Sequence, residues 1–281
     1  MPSFYDICMR VGTDKCKPTQ YDDHQYYRVY PRYLEPLRDQ PQKLLEIGLG
    51  CDMSYGPGRS VKLWKQYLPR VELWEAEYDT ECASKYNATL DYRILTGNQG
   101  KRRVLESWVQ SSGGNFNIII DDGSHQSEHQ LATLLYLWEH ALLPGGYYFI
   151  EDLHYEDPRE LAREAKHAAA NATTGQQAHA APRPAARMLE VISVWMGRLT
   201  GAKSLAKHRH YLEHTRNANA SIKEHEDAVR RRVGGLKVPE GLPTGLMMIA
   251  CHHDMCVLEK GPAGFKQPVY RMGRHDVLYV N

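Results

Sequence analysis

Two carboxylates and an imidazole stand together in Asp121-Asp122-Gly123-Ser124-His125, and a second acidic pair stands at Glu151-Asp152. Each group directly follows a short apolar run, Ile118-Ile119-Ile120 before the first and Tyr147-Tyr148-Phe149-Ile150 before the second. Adjacent carboxylates repel, so a cation, hydrogen-bond donors or solvent must compensate them. If Asp122, Glu151 and Asp152 converge with an open side, they suit Mg²⁺ or another hard cation better than zinc, which favours His and Cys. An imidazole beside such a group can take a proton near neutral pH. The plainer reading is an acid-rich turn in which Asp122 caps the next helix and His125 is solvated.

A second candidate stretch is Lys43-Leu44-Leu45-Glu46-Ile47-Gly48-Leu49-Gly50. Here a short apolar run enters a glycine turn, and Gly48 and Gly50 let backbone approach a ligand closely. The third glycine of the dinucleotide fingerprint and the Lys-Ser/Thr pair of a phosphate loop are both missing, so a nucleoside without phosphates would fit. Val71-Glu72-Leu73-Trp74-Glu75-Ala76-Glu77 then ends in acids, where ribose hydroxyls bind in nucleotide-type α/β folds. Of Glu75, Glu77 and Asp79, Glu77 is the candidate, because Tyr78-Asp79-Thr80-Glu81 reads as the next helix start.

These residues need a scaffold. Short apolar runs at Leu44–Ile47, Val71–Glu77, Tyr92–Thr96, Ile118–Ile120 and Tyr147–Ile150 alternate with amphipathic helical stretches, which predicts a parallel, doubly wound sheet. In such sheets ligands sit beyond the carboxyl ends of the strands. Leu246–Cys251 and Met255–Lys260 predict two final strands, and His252-His253-Asp254 between them reads as a hairpin turn in preference to a metal pair. Residues 1–40 predict a helical cap, whose stripe of Tyr26, Tyr30 and Tyr33 reads mainly as core packing, and 41–281 the main domain. Within it, about 156–240 predicts an insertion: a polar helix and linker, the apolar stretch Met188–Met196, and a His- and Arg-rich segment from Lys203 to Arg232 that reads as a solvated face.

The chain has 281 residues and a formal charge of +1, which argues against a nucleic-acid binder driven by bulk electrostatics. No apolar run is long enough to cross a bilayer, and the first residues lack a secretion-signal pattern, although an anchor removed from the chain stays open. Cys8, Cys16, Cys51, Cys82, Cys251 and Cys256 form no C-x-x-C pair, and read as reduced thiols in a cytoplasmic protein. On that reading the acceptor patterns Asn87-Ala88-Thr89, Asn171-Ala172-Thr173 and Asn219-Ala220-Ser221 are chance matches.

Taken in order, Gly12-Thr13-Asp14-Lys15, His24-x-Tyr26, Leu45-Glu46-Ile47-Gly48, Gly56-Pro57-Gly58, Gly97-Asn98-Gln99, Asp121-Asp122-Gly123-Ser124-His125 and Pro144-Gly145-Gly146 to Glu151-Asp152 resemble one family. The series is similar to that of the class I S-adenosylmethionine-dependent methyltransferases, specifically the metal-dependent macrolide-sugar O-methyltransferases of mycinamicin and tylosin type. The resemblance covers about residues 10–155 and departs at Asn98, where such sequences usually have Asp. It implies a Rossmann-like, seven-stranded, mostly parallel sheet with an antiparallel last strand. It also implies a cofactor set of Glu46, Gly48, Gly50, Glu77, Gln99 and Asp121, joined by Lys15 and Tyr26 from the first two motifs. Asp122, Glu151 and Asp152 would bind Mg²⁺, and His125 would be the general base.

The implied reaction is methyl transfer from S-adenosylmethionine to a hydroxyl of a small-molecule or glycan acceptor, either a sugar or another vicinal diol such as a catechol. The same residues admit two alternatives. One is a metal-independent N- or O-methyltransferase whose acids bind a cationic acceptor; the other is a non-catalytic cofactor-binding scaffold. Neither nucleic acid nor membrane is an expected partner, and a homo-oligomer stays open.

Overall fold

In the computed structural model of the chain, the residues described are 1–16, 24–87, 93–153, 188–199, 241–252, 254–266, 268–270 and 277–279. The sequence features of the 156–240 segment other than Met188–Leu199 lie outside them.

Ile118, Ile119 and Ile120 are all fully buried, yet they face different neighbours. Ile119 packs with Leu105, Trp108 and Leu131, while Ile118 and Ile120 pack with Phe4, Tyr30 and Trp64. A strand with apolar contacts on both faces must lie inside a sheet covered on both sides. That sheet contains β1 (Gln42–Ile47), β2 (Val71–Glu77), β3 (Arg93–Thr96), β4 (Phe116–Asp121), β5 (Leu142–Ile150), β6 (Leu246–His252) and β7 (Met255–Lys260). Its order is β3-β2-β1-β4-β5-β7-β6, with the first five strands parallel and β7 antiparallel to both its neighbours. The expected seven-stranded sheet is therefore present. β5 begins at Leu142, so Pro144-Gly145-Gly146, whose residue types favour a tight turn, falls within the strand, and the pairing of β5 with β4 shifts register between Phe116 and Ile118 of β4. A separate ribbon pairs β8 (Pro268–Tyr270) with β9 (Val277–Tyr279).

The helices follow from amphipathic runs between the strands. α1 (Phe4–Val11) is closed by a capping box between Ser3 and Asp6 and by Gly12 in a left-handed conformation. α2 (Tyr30–Leu34) and α3 (Arg59–Tyr67) bury Tyr30, Leu34, Val61 and Trp64 against the same face as α1. α4 (Thr80–Asn87) follows β2, and α5 (Arg102–Ser112) and α6 (Ser127–His140) cover the opposite face. α7 (Met188–Leu199) joins that face through Val191, Ile192 and Trp195, so the apolar stretch of the insertion does pack against the sheet.

The cysteines correct the sequence reading. All six are paired, as Cys8–Cys16, Cys51–Cys82 and Cys251–Cys256. Connectivity depends on which strand ends and helices meet in space, and residue spacing does not carry that information. Cys51 follows β1 and Cys82 lies on α4, so only the docking of α4 beside the glycine turn brings them together. No helix among the described residues is long and apolar enough to cross a membrane.

Candidate active site

The register fixes where the chemistry sits. Ile47 pairs with Asp121, and Asp121 with Ile150, so β1, β4 and β5 end at one level. The ladder runs one residue further, with Gly48 N–H donating to Ala76 O (2.8 Å), Asp122 N–H to Ile47 O (3.0 Å) and Glu151 N–H to Asp121 O (3.0 Å). Only glycine fits at position 48: φ is +111°, and a Cβ there would lie 2.0 Å from the Asp122 carbonyl oxygen. The glycine turn and the acidic turn are thereby pressed side by side.

A cleft of about 850 Å³ opens above this edge. At one end it is lined by Gly48, Gly50, Glu77 and Gln99, and at the other by Asp122, His125 and Asp152. Glu77 accepts hydrogen bonds from Leu49 N–H (3.2 Å) and Asp79 N–H (2.8 Å), which fixes its carboxylate at the rim of the glycine turn. Gln99 donates from Nε2 to Asp121 Oδ1 (2.9 Å) and accepts at Oε1 from Ser124 N–H (2.9 Å), so it ties the β3 end to the acidic turn. Asp121 also accepts from Tyr148 OH (3.1 Å). Burial pushes the Asp121 carboxyl up, and these hydrogen bonds work against that.

The other end is dense in charge. Ligand atoms of Asp122, His125 and Asp152 lie within 4.8 Å of one another, and so do those of His24, Asp152 and Asp254. Asp152 belongs to both groups. His125 Nε2 is 3.5 Å from Asp152 Oδ2. His125 (φ 55°) and Asp152 (φ 54°) both hold left-handed backbone conformations, which cost on the order of 1 kcal/mol or more each and cluster at functional sites.

Lys15 is the counter-cation to these acids. Its Nζ lies 2.7 Å from Asp122 Oδ2, 2.7 Å from Glu151 Oε2 and 3.4 Å from Glu46 Oε1, and the side chain is 2% exposed. Burial alone would lower its pKa, but the three carboxylates outweigh it and raise the pKa well above the ordinary lysine value. Glu151 is held from the other side by Tyr30 OH. Burial, reinforced by the Asp122 charge and opposed by Lys15, lifts the Glu151 carboxyl far above its usual range. Burial likewise carries Asp122 up to about 6, with Lys15 restraining the rise and Asp152 adding to it.

Tyr26 OH donates to Asp152 Oδ1 (2.8 Å) and accepts from Asp152 N–H (3.2 Å), so the phenol positions that aspartate. His24 Nδ1 lies 3.5 Å from Asp152 Oδ1 and 3.3 Å from Asp254 Oδ2. Burial would lower its pKa, but the Asp254 hydrogen bond and the Asp152, Asp254 and Asp14 charges raise it to about 9.

The predicted residues therefore divide. Gly48, Gly50, Glu77, Gln99, Asp122, His125 and Asp152 line one cleft. Glu46, Asp121, Glu151 and Tyr26 do not line it. Glu46 is fully buried in register with Glu75, whose carboxyl is raised by burial and by Glu46, and faces Lys15. Lys15 touches the cleft wall while its Nζ serves the acids. Sequence reasoning missed Asp254, placed beside His24 by the β6–β7 turn, and the Tyr30 phenol. The cluster His252-His253-Asp254 was the available signal for the first; a core tyrosine gave none for the second.

No family model matches the chain. It is 35% identical over 157 residues to L-olivosyl-oleandolide 3-O-methyltransferase of Streptomyces antibioticus, covering 54% of this chain and 37% of that protein. It is 32% identical over 133 residues to mycinamicin VI 2''-O-methyltransferase of Micromonospora griseorubida, covering 46% of this chain and 32% of that protein. The chain thus spans only about a third of the length of the curated relatives it matches. The fold is that of the MycE methyltransferase from the mycinamycin pathway, solved with Mg, SAH and mycinamycin VI: TM-score 0.60 at 21% identity, covering 94% of this chain and 56% of that one.

Proposed function

We propose that this chain is a divalent-cation-dependent O-methyltransferase that uses S-adenosylmethionine and acts on a hydroxyl of a sugar or similar vicinal diol. One observation carries the reading: the cleft lined by the glycine turn and Glu77 is continuous with the Asp122, His125 and Asp152 cluster. The solved neighbour with this fold binds Mg and SAH, and the curated relatives are named as methyltransferases of sugar-bearing compounds, which supports the same pairing here.

The residues fit both groups. Glu77, fixed by two backbone N–H donors, keeps lone pairs for the vicinal hydroxyls of a ribose, and Gly48 and Gly50 leave backbone space beside it. Asp122 and Asp152 supply hard oxygen donors, with the His125 imidazole alongside. Glu151, Lys15 and Tyr26 stand one layer behind and hold these donors in place. Bound together, the sulfonium donor supplies an electrophilic methyl group, and the cation lowers the pKa of an acceptor hydroxyl and orients it. His125 Nε2 takes the hydroxyl proton, and Asp152 Oδ2 stabilises the resulting imidazolium.

Lys15 at 2.7 Å from Asp122 favours a second reading, in which protein cations alone neutralise the acids and no metal is needed. Incubating the chain with labelled S-adenosylmethionine and a panel of deoxysugars, glycosides and catechols, with and without EDTA, separates the two. Label in a sugar or diol that disappears with EDTA and returns with Mg²⁺ supports the proposal. Chelator-insensitive transfer supports the metal-free reading, and cofactor binding without transfer to any acceptor overturns both.

A further inference from the structure

We infer that Asn87 is an N-glycan acceptor and that the chain forms its three disulfides in an oxidising compartment outside the cytosol. The inference stands apart from the methyl-transfer reading and rests on two independent observations.

The first is the cysteines. In a reducing cytosol thiols stay unpaired, and a cytosolic disulfide is usually transient and lies in a redox motif. This chain has no C-x-x-C motif, yet every cysteine is bonded. The bonds are placed as staples. Cys8–Cys16 closes α1 onto the Asp14–Cys16 turn that carries Lys15. Cys51–Cys82 joins the glycine turn to α4, and Cys251–Cys256 spans directly paired positions of β6 and β7 beside the Asp254 turn. Each bond thus holds a segment that bears on the cleft, which is the placement of structural disulfides rather than of a redox couple.

The second is the acceptor. Asn87-Ala88-Thr89 is an Asn-x-Thr pattern without proline, and Asn87 is exposed at the last position of α4. Asn87 does not line the cleft, and α4 buries only Ala83, so a bulky glycan there displaces no packed side chain. Cys82 on the same helix anchors the acceptor to the sheet edge. Ala88 and Thr89 are known from the sequence alone and, like the patterns at Asn171 and Asn219, lie outside the described residues.

Both steps use chemistry that such compartments supply. For each cysteine pair, thiolate attack on a disulfide oxidoreductase yields the protein disulfide and the reduced dithiol of that partner. At Asn87, the amide nitrogen forms a bond to the anomeric carbon of a lipid-diphosphate-linked oligosaccharide. The anomeric C–O bond breaks, the lipid diphosphate leaves, and the amide gives up one proton.

The test expresses the full chain two ways: through the secretory pathway of a eukaryotic cell behind a cleavable signal peptide, and in a reducing cytosol. Alkylation without reductant, followed by peptide mass spectrometry, reads the cysteines; glycosidase digestion reads Asn87. The secreted chain is expected to show the three stated linkages and a glycan at Asn87. Asn87→Gln and Thr89→Ala should each remove one glycan without lowering the melting temperature, and Thr89→Ser should keep it. The cytosolic chain should melt on the order of 10 °C lower. A folded secreted chain with alkylatable cysteines or an unmodified Asn87 overturns the inference, as does a reduced chain that melts at the same temperature.

Discussion

The two ends of the cleft handle negative charge in opposite ways. At the β1–β2 end, the Glu77 carboxylate is satisfied by two backbone N–H groups and needs no cation. At the β4–β5 end, Asp122, Glu151 and Asp152 crowd together, and the protein answers with Lys15, His24 and the phenols of Tyr26 and Tyr30. The first end is complete as built and suits a neutral polyol such as a ribose. The second still carries more carboxylates than cations, counting Asp254 and Glu46, which is the electrostatic state of a pocket that takes up a positive ion.

Breaking the acidic end should have the largest effect. Asp122→Asn or Asp152→Asn is expected to cut turnover by about 10³-fold, equivalent to roughly 4 kcal/mol, while cofactor affinity by calorimetry stays unchanged. Equal losses in both quantities would show that the two ends are not separable. Lys15→Met leaves buried carboxylates without their cation and should cost about 3–5 kcal/mol in urea unfolding, part of which Mg²⁺ restores. An unchanged midpoint would remove Lys15 as the compensating charge.

His24 sharpens the contrast through pH. Its pKa is raised from 6.5 to about 9 on folding, so its contribution is complete below pH 6.5 and fades as pH rises through 9. Without metal, unfolding free energy should therefore fall by roughly 3 kcal/mol across that window, and His24→Gln should flatten the profile. At the other end, Glu77→Ala should weaken cofactor binding tenfold to a hundredfold, about 1.4–2.7 kcal/mol, with no change in metal affinity. The smallest effect belongs to Tyr26→Phe, which removes one hydrogen bond to Asp152 and should lower metal affinity several-fold, about 1 kcal/mol.

The same division explains what the sequence could tell. Gly48, Glu77, Asp122 and Asp152 sit at strand ends, and a strand end is readable because an apolar run of fixed period stops there. Once the parallel order is inferred, convergence of these residues follows from register alone. Lys15, His24 and Asp254 reach the cleft from the N-terminal turns and the last hairpin. Their placement depends on how Phe4, Tyr30 and Trp64 pack on the sheet, and no local pattern encodes that. The stripe holding Tyr26 and Tyr30 reads as core packing, and the resemblance adds Tyr26 to the cofactor set; both side chains are buried, Tyr26 does not line the cleft, and both hydroxyl groups end on acids. The cysteines failed for the same reason, since their pairing is a property of assembled neighbours.

The backbone at His125 and Asp152 also restricts the alphabet available there. A positive φ admits glycine freely and Asn, Asp or His more readily than other residues, and penalises a branched Cβ most. Valine or threonine at either position would therefore distort the turn before any question of chemistry arose. Asp152→Asn removes the charge and keeps the conformation, and that is why it, and not a bulkier replacement, isolates the carboxylate's role.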